Sequence, residues 1–327
     1  MQIAEYLEKY QPVIFKTFVN AKHDEKLSHA YLLSGSVGMP LKETAIYLAK
    51  SLLCDEPNPL ACEHCITCLR VDEGNYSDLK IFDGSEGRIK KEDVQNITGS
   101  FDSSALEEKG IMIYIIHLVE NMTPVAVNAL LKFLEEPGRN IFAFLTTENE
   151  SKVLPTIISR TQVLRFREID REEIIKNAEI AGVLSEDAEI LSGFLNGAEA
   201  VKNVSESEEY KVAKQALDDQ LNALLLSPDD AVFTCHRLII PQIKTYDMAR
   251  LYLKMLAEVF KDLLNISVGE KAVLSNSENI NRELLGHLNN IDRSLLIILS
   301  SLSRLDLNIN IPLLLDHVVY EITKEAS

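Results

Sequence analysis

The chain has 327 residues, of which 46% are hydrophobic and 25% are charged, and this length allows two or three domains with sizeable cores. Its formal net charge of −17 repels nucleic acid on average, which excludes a protein that holds DNA through its overall charge. Because no apolar run is long enough to cross a membrane and the N-terminus lacks a signal-peptide pattern, we expect a cytoplasmic protein without membrane contact.

The first half of the chain alternates predicted strands and helices. Short apolar runs rich in β-branched residues predict strands buried on both faces, as in a parallel sheet. These runs are Ala30–Ser34, Asp78–Phe82, Ile111–Ile116, Ile141–Leu145 and Val163–Phe166. Helices are predicted within residues 1–27, at Leu41–Leu53, at Ile89–Gly99 and from Pro124, behind a Thr123 cap. The alternation predicts an α/β sheet layered with helices on both faces.

After Glu168 the pattern contains no convincing strand. Three short helices are predicted at Arg171–Ala181, Ser185–Leu195 and Ala198–Val204. Longer helices follow, among them Met248–Ile266, Ile280–Leu302 and Ile311–Lys324. The polar run Ser205–Glu209 between these groups is typical of a domain junction. We therefore expect two all-α segments behind the α/β domain.

Four of the five cysteines lie close together, with the spacing Cys54-x7-Cys62-x2-Cys65-x2-Cys68. In a cytosolic chain such a cluster indicates a metal site more than a disulfide framework. Four thiolates complete the tetrahedral coordination of zinc and leave no open position, so the predicted role is structural. An iron–sulfur cluster also uses four cysteines and stays open as an alternative. The fifth cysteine, Cys235, is predicted to be a buried thiol without a role.

A loop between the first predicted strand and its helix has the context of a phosphate-binding loop. It contains Gly35, Gly38 and Lys42, but it is one residue longer than the pattern Gly-x-x-x-x-Gly-Lys-Ser/Thr requires. Pro40 has no N–H to offer a phosphate. Leu41 stands where the second glycine should be and disfavours a positive φ. These departures predict a degenerate loop that does not bind ATP.

The position for a magnesium ligand also departs from the pattern of a nucleotide site. Glu43 follows the loop lysine where a hydroxyl residue should bind magnesium, and it places a carboxylate near the phosphate position. His117 and Leu118 follow the third strand where acidic residues are expected. The alternative is a surface lysine in a loop that never bound phosphate. Because both the phosphate loop and the magnesium position depart from the pattern, the sequence favours a nucleotide site that has degenerated.

Several segments occur together in an order that resembles the AAA+ clamp-loader subunits of bacterial DNA polymerase III. They are Ser28–Gly35, the four-cysteine segment, Asn128–Pro137, Leu154–Arg160 and the eight residues that start at Asn308. The resemblance implies a RecA-like α/β domain at residues 1–168 with a zinc-binding insertion at about residues 54–68. It further implies a helical lid at residues 169–207 and a helical collar, which joins subunits, at residues 208–327.

Within that family the sequence resembles the non-catalytic stator type, whose phosphate and magnesium motifs are commonly lost. This implies a subunit without intrinsic ATPase, in a five-subunit ring with motor subunits of the gamma/tau type and the delta subunit. The ring places the sliding clamp on primer–template DNA as part of the DNA polymerase III holoenzyme. The motif Ser159-Arg160-Thr161, with threonine where the family has cysteine, implies that Arg160 reaches a neighbouring subunit's ATP as an arginine finger. The lid segment Gly193–Ala200 lacks the arginine of motor subunits, which agrees with an inactive site.

Two other functions are alternatives to the stator. One is an ATP-hydrolysing motor subunit of the gamma/tau type with an atypical loop, in which Lys42 and Thr44 are remnants of the nucleotide site. Without a carboxylate after the third strand, magnesium would have no protein ligand there. The other is an independent DNA-binding protein with a zinc ribbon. The negative charge and the lack of a basic patch interleaved with aromatic residues argue against it.

Overall fold

A computed structural model of the chain describes residues 2–85, 87–90, 92, 105–136, 138, 140–275, 278–305, 307 and 309–324. Two compact units are present, residues 1–168 and residues 169–327. The first combines strands and helices, and the described part of the second contains helices alone. No helix in these described ranges has both the length and the apolar character that a membrane span needs.

The first unit is built on a five-stranded sheet in which every pair of neighbouring strands is parallel. The strand order is β2-β3-β4-β1-β5. The strands are β1 Ala30–Ser34, β2 Leu79–Asp83, β3 Met112–His117, β4 Ile141–Thr147 and β5 Gln162–Arg165. Each lies within one or two residues of its predicted bounds, so the predicted parallel α/β sheet is confirmed.

Helices cover both faces of this sheet. On one face, Ala126, Leu130 and Leu134 of the helix Pro124–Glu135 join the core that Tyr114 of β3 enters. On the other face, Phe18 of the helix Pro12–His23 packs against two rings of the sheet, with centroids 5.4 Å from Tyr31 and 6.1 Å from Phe144. Because β1, β3 and β4 are covered on both sides, their sequences are continuous apolar runs.

The other elements of the first unit are short. Its described helices are Ile3–Tyr10, Pro12–His23, Leu41–Leu53, Ile66–Asp72, Pro124–Glu135 and Pro155–Ile158, with 3₁₀ turns at Val119–Asn121 and Glu150–Lys152. The predicted cap is present, since the Thr123 hydroxyl accepts the Ala126 N–H at 3.3 Å and Pro124 is the first helical residue. Most of the predicted helix Ile89–Gly99 lies outside the described residues.

The second unit consists of helices wherever it is described. They are Arg171–Ile180, Ser185–Leu191, Ala198–Glu206, Glu208–Leu226, Pro228–Thr234, Ile240–Gln242, Tyr246–Ser267, Glu278–Leu284, Ile291–Leu305 and Ile311–Lys324, with a π-helical turn at Cys235–Ile239. Cys235 is buried, as predicted. The predicted helical character of residues 169–327 is therefore confirmed.

One predicted helix of the second unit is wrong. The sequence pattern predicts a single helix at Ile280–Leu302, but the structure has one helix that ends at Leu284 and another that begins at Ile291. The first helix closes with short turns, in which the Gly286 N–H bonds the Glu283 carbonyl at 2.9 Å. Gly286 lies at this break, and glycine weakens a helix interior. The apolar period of the sequence continues across the break and therefore does not reveal it.

Buried carboxylates of the helix Tyr246–Ser267 pair with groups of the same helix and of other elements of the second unit. The Glu258 carboxylate lies 3.3 Å from Arg171 Nη1 and 2.5 Å from Lys261 Nζ. Gly193 leaves room for that carboxylate, because a Cβ at this position would lie 2.0 Å from Glu258 Oε2. Asp262 accepts the Val273 N–H at 2.6 Å. Since a buried carboxylate is costly unless it is paired, these contacts fix how the helices pack.

Candidate functional site

The four clustered cysteines converge on one point in the first unit. Their Sγ atoms all lie within 4.8 Å of one another, and the Cys54 and Cys65 Sγ atoms are 3.8 Å apart. Tetrahedral zinc with Zn–S bonds of about 2.3 Å places its sulfurs about 3.8 Å apart. The donor set and its spacing fit a metal ion, so Cys54, Cys62, Cys65 and Cys68 could hold one.

Backbone N–H groups point at the sulfurs of this cluster. The Cys62 N–H donates to Cys54 Sγ at 3.3 Å, the Cys65 N–H to Cys62 Sγ at 3.3 Å, and the Cys68 N–H to Cys65 Sγ at 3.4 Å. Burial raises the pKa of the Cys54 and Cys68 thiols. Burial opposes ionisation of Cys65 as well, but N–H groups of Asp55 and Cys68 outweigh it and lower the pKa of Cys65 to about 7. These N–H groups stabilise thiolates, the form that binds a metal.

Charged side chains hold the cysteine segment against the sheet domain. The buried Lys50 ammonium lies 2.6 Å from Glu63 Oε1 and 2.9 Å from Asp72 Oδ1. The Lys109 ammonium lies 3.1 Å from Asp55 Oδ1 and donates to the Cys54 carbonyl at 3.2 Å. These contacts anchor the segment, and the four thiols by themselves suffice for tetrahedral coordination without an open position. The geometry therefore suits a structural site.

The loop after β1 bonds to itself and to the sheet. The Gly35 N–H donates to the Thr147 carbonyl at 3.1 Å, and the Met39 N–H donates to the Ser36 carbonyl at 3.2 Å. Met39 is buried, and a Cβ at Gly35 would lie 2.7 Å from Met39 Sδ. Gly38 adopts a φ of +90°, which glycine tolerates best. The N–H groups of Gly35 and Met39 are thus bonded within the protein, and the methionine side chain packs against Gly35.

The loop lysine is paired with an acid at the end of the edge strand β2. Lys42 Nζ donates to Asp83 Oδ2, and Asp83 is the last residue of β2. Burial alone would raise the pKa of the Asp83 carboxyl. The Lys42 ammonium and the Ser85 hydroxyl and N–H outweigh burial and lower this pKa to about 2. Lys42 thus has a carboxylate partner where a nucleotide-binding lysine would meet phosphate.

The turn after β3 is fixed by hydrogen bonds to β4. The Thr146 hydroxyl oxygen lies 2.7 Å from His117 Nδ1 and accepts the Leu118 N–H at 3.0 Å. Burial lowers the pKa of His117, so the imidazole is neutral at pH 7. The nearest acid along the chain, Glu120, accepts the Glu148 N–H at 2.8 Å through Oε1. This turn presents a neutral ring where a magnesium site would present a carboxylate.

The remaining hydroxyl near the loop also bonds within its own helix. Thr44 is buried, and its Oγ1 donates to the Pro40 carbonyl at 2.7 Å. A threonine hydroxyl bonded back to the preceding turn satisfies a carbonyl at the helix start. Thr44 therefore does not replace the missing hydroxyl that follows Lys42 in a working phosphate loop.

Arg160 lies just past the helix Pro155–Ile158, and its side chain is 33% exposed. Its Nη1 donates to the Thr156 carbonyl at 3.0 Å and to Ser159 Oγ at 3.3 Å. Its Nη2 donates to Glu135 Oε1 at 2.6 Å. The structure thus places Arg160 at the surface of the first unit, where acceptors of its own chain hold it.

Sequence reasoning missed two of the acids that contact the predicted residues. The second predicted strand ends at Phe82, just before Asp83, and Glu135 belongs to the segment Asn128–Pro137, to which the sequence assigns no contact with Arg160. A signal for Asp83 existed, because the carboxyl ends of parallel strands meet at one edge of the sheet. No local pattern signals Glu135, since it lies 25 residues from Arg160 and meets it only in the fold.

A parallel sheet in this order, with a lysine-bearing loop after β1 and an all-helical second unit, defines a RecA-like AAA+ protein. Residues 10–170 match the family model described as "DNA polymerase III, delta subunit". The chain is 30% identical over 317 residues to DNA polymerase III subunit delta' of Bacillus subtilis strain 168, and the match covers 96% of each chain. The chain belongs to the delta-prime family of bacterial DNA polymerase III clamp-loader subunits.

The chain is also similar to subunits of the gamma and tau type, but over a shorter length. It is 32% identical over 181 residues to subunit gamma of Buchnera aphidicola, which covers 51% of this chain and 49% of that one. It is 35% identical over 168 residues to subunit tau of Bacillus subtilis, which covers 50% and 29%. A crystal structure of a gamma subunit-related protein from Thermotoga maritima aligns with a TM-score of 0.48 at 18% identity, over 95% of this chain and 99% of that one.

Proposed function

We propose that the chain is the non-catalytic stator subunit of a bacterial clamp loader. It joins motor subunits of the gamma/tau type and the delta subunit in a five-subunit ring, which places the sliding clamp on primer–template DNA. Residues 1–168 serve as the AAA+ domain with its insertion at about 54–68, residues 169–207 as the lid, and residues 208–327 as the collar. The match to a delta-prime subunit over 96% of both chains supports this assignment, because the gamma and tau matches cover only about half of this chain.

The stator does not bind ATP, because its own groups occupy the nucleotide position. The observation that carries the proposal is the ion pair of Lys42 and Asp83, which neutralises the lysine that would otherwise meet phosphate. Met39 against Gly35 removes space inside the loop, and His117 offers magnesium no carboxylate. A phosphate would have to displace a carboxylate and a buried thioether without gaining a metal ion.

The contribution of this subunit to ATP hydrolysis is Arg160, which serves a neighbour's site. A guanidinium there counters the charge that develops on the transferred phosphoryl group. Arg160 suits the role because it is partly exposed at the edge of the first unit and its charge is permanent. Ser159 orients it through the bond to Nη1.

The four-cysteine insertion carries structural zinc. Four thiolates within 4.8 Å fill the coordination of zinc and leave no position for water or substrate. The segment buries few apolar side chains of its own, so a metal ion supplies the crosslink that an apolar core would otherwise provide. An iron–sulfur cluster is distinguished from zinc by its visible absorbance.

Reconstitution with gamma/tau-type motor subunits, delta subunit, clamp and primed DNA tests the proposal. Arg160→Ala should leave the ring assembled and lower its ATPase, since an arginine finger accelerates hydrolysis by about 10³-fold at the site it serves. Arg165→Ala is a matched control, because Arg165 is also a surface arginine of this unit but pairs with Glu150 at 2.7 Å. Unchanged ATPase in an Arg160→Ala ring of verified composition would remove Arg160 from the mechanism.

The motor-subunit alternative predicts a different result for the chain on its own. A motor subunit binds ATP with magnesium and hydrolyses it, whereas the stator does neither. Tight, magnesium-dependent ATP binding by the isolated wild-type chain would support the alternative, and so would ATPase that Lys42→Ala abolishes.

A further inference from the structure

Arg160 is held in place by acceptors of its own chain. Five N–H groups belong to an arginine side chain. Two on Nη1 meet the Thr156 carbonyl and Ser159 Oγ, and one on Nη2 meets Glu135 Oε1. The carboxylate of Glu135 is the charged partner among the three. The ion pair of Arg160 with Glu135 compensates the positive charge that Arg160 would bring to a phosphate.

Glu135 occupies a position that strengthens this contact. It is the last residue of the helix Pro124–Glu135, where the unpaired carbonyl groups give the helix end a partial negative charge. The Arg160 cation lies 2.6 Å from Glu135 Oε1, so the carboxylate and the helix end attract it together. A phosphate that approaches Arg160 meets the same negative groups and is repelled by them.

The contact is weak enough to be broken during turnover. The Arg160 side chain is 33% exposed and the Glu135 side chain is 52% exposed. An exposed ion pair shifts an equilibrium by no more than about fivefold. A neighbour's transferring phosphoryl group, which binds arginine far more strongly in a dry site, can therefore displace Glu135.

We infer that Glu135 is an autoinhibitory residue, which holds Arg160 on its own subunit and restrains it from the neighbour's ATP until the ring closes. The inference rests on the proposed function of Arg160 and adds its regulation. Before closure, Arg160 is paired with Glu135, which partly compensates its positive charge. On closure it exchanges the Glu135 carboxylate for a phosphoryl oxygen, while Thr156 and Ser159 keep the guanidinium oriented through Nη1.

The test is steady-state ATPase of the reconstituted ring with Glu135→Gln, which keeps the shape of the side chain and removes its charge. We expect a two- to fivefold higher kcat with little change in KM for ATP, because the contact restrains a group that acts in the transition state. Structural damage does not raise a rate. Glu136→Gln is the matched control, since it removes one exposed charge from the next residue, and Glu136 has no ion pair in the described part of the chain.

The double variant Glu135→Gln/Arg160→Ala separates this inference from the proposed function. It should have the same low rate as Arg160→Ala, because Glu135 acts through Arg160. If Arg160→Ala lowers the rate and Glu135→Gln leaves it at or below the wild-type value, Glu135 does not restrain Arg160 and the inference is overturned. If Arg160→Ala has no effect on the rate, the proposed role of Arg160 is wrong, and the inference about Glu135 is overturned with it.

Discussion

Replacing Asp83 by asparagine tests the ion pair that occupies the loop after β1. The pKa of the Asp83 carboxyl falls from an ordinary 3.8 to about 2 in the folded chain. The difference between these two pKa values corresponds to about 2.4 kcal/mol of stability at neutral pH. Lys42 is 34% exposed and regains water when the partner is lost, so we expect Asp83→Asn to lower the free energy of unfolding by about 1–2 kcal/mol.

The pH dependence of that loss has a defined sign. A carboxyl whose pKa is lower in the folded chain stabilises the fold above its unfolded pKa, and this stabilisation disappears as pH falls towards the folded pKa. Wild type should therefore lose its advantage over Asp83→Asn between about pH 4 and pH 2.

Urea unfolding followed by circular dichroism, at pH 7 and in steps down to about pH 2, measures this difference. Lys42→Met and the double variant complete a cycle that isolates the pair from other effects of each substitution. A coupling free energy of zero at pH 7 would refute the assignment of Lys42 to Asp83. Asp83→Asn should gain no ATP binding, because Met39 and Pro40 still close the loop. Binding by this single variant would show that the ion pair alone excludes nucleotide.

Two further predictions concern the helical unit and the cysteines. Gly193→Ala should lower the free energy of unfolding by about 2–4 kcal/mol in thermal or urea unfolding. The reason is that a Cβ 2.0 Å from Glu258 Oε2 forces that buried carboxylate away from its cationic partners. A loss below about 0.5 kcal/mol would mean that the Glu258 side chain adopts another conformation without cost. Purified protein should carry one zinc per chain by elemental analysis, and Cys68→Ser should lose it and become sensitive to protease within residues 54–72; full zinc content in that variant would contradict four-cysteine ligation.

The sheet could be predicted from sequence because its strands are buried on both faces. Such strands are continuous apolar runs, and tertiary packing does not compete with that pattern. The helix Leu41–Leu53 was predicted at its observed bounds for a similar reason, since its apolar period and its flanking residues agree. The predicted helix Ile280–Leu302 failed because its apolar period continued through Gly286, and only the short turns of the structure reveal the break.

For the candidate sites, too, features signalled by local sequence could be predicted and contacts between distant residues could not. The convergence of the four cysteines on one point was predictable because their spacing along the chain is itself the signal. The state of Lys42 was not, since the partner that neutralises it comes from a different strand. Sequence indicated that the loop lacks groups needed to bind ATP. It did not indicate that Asp83 pairs with the lysine that remains.

The two ion pairs of the first unit share one chemistry and differ in exposure, and the difference decides what each can do. The Asp83 side chain is 12% exposed and also bonds Ser85, so releasing Lys42 would leave a partly buried carboxylate without its counter-ion. Glu135 is 52% exposed, so water replaces Arg160 at little cost. The first pair is suited to keep a nucleotide loop permanently closed. The second is suited to release an arginine when a phosphate on another subunit comes within reach.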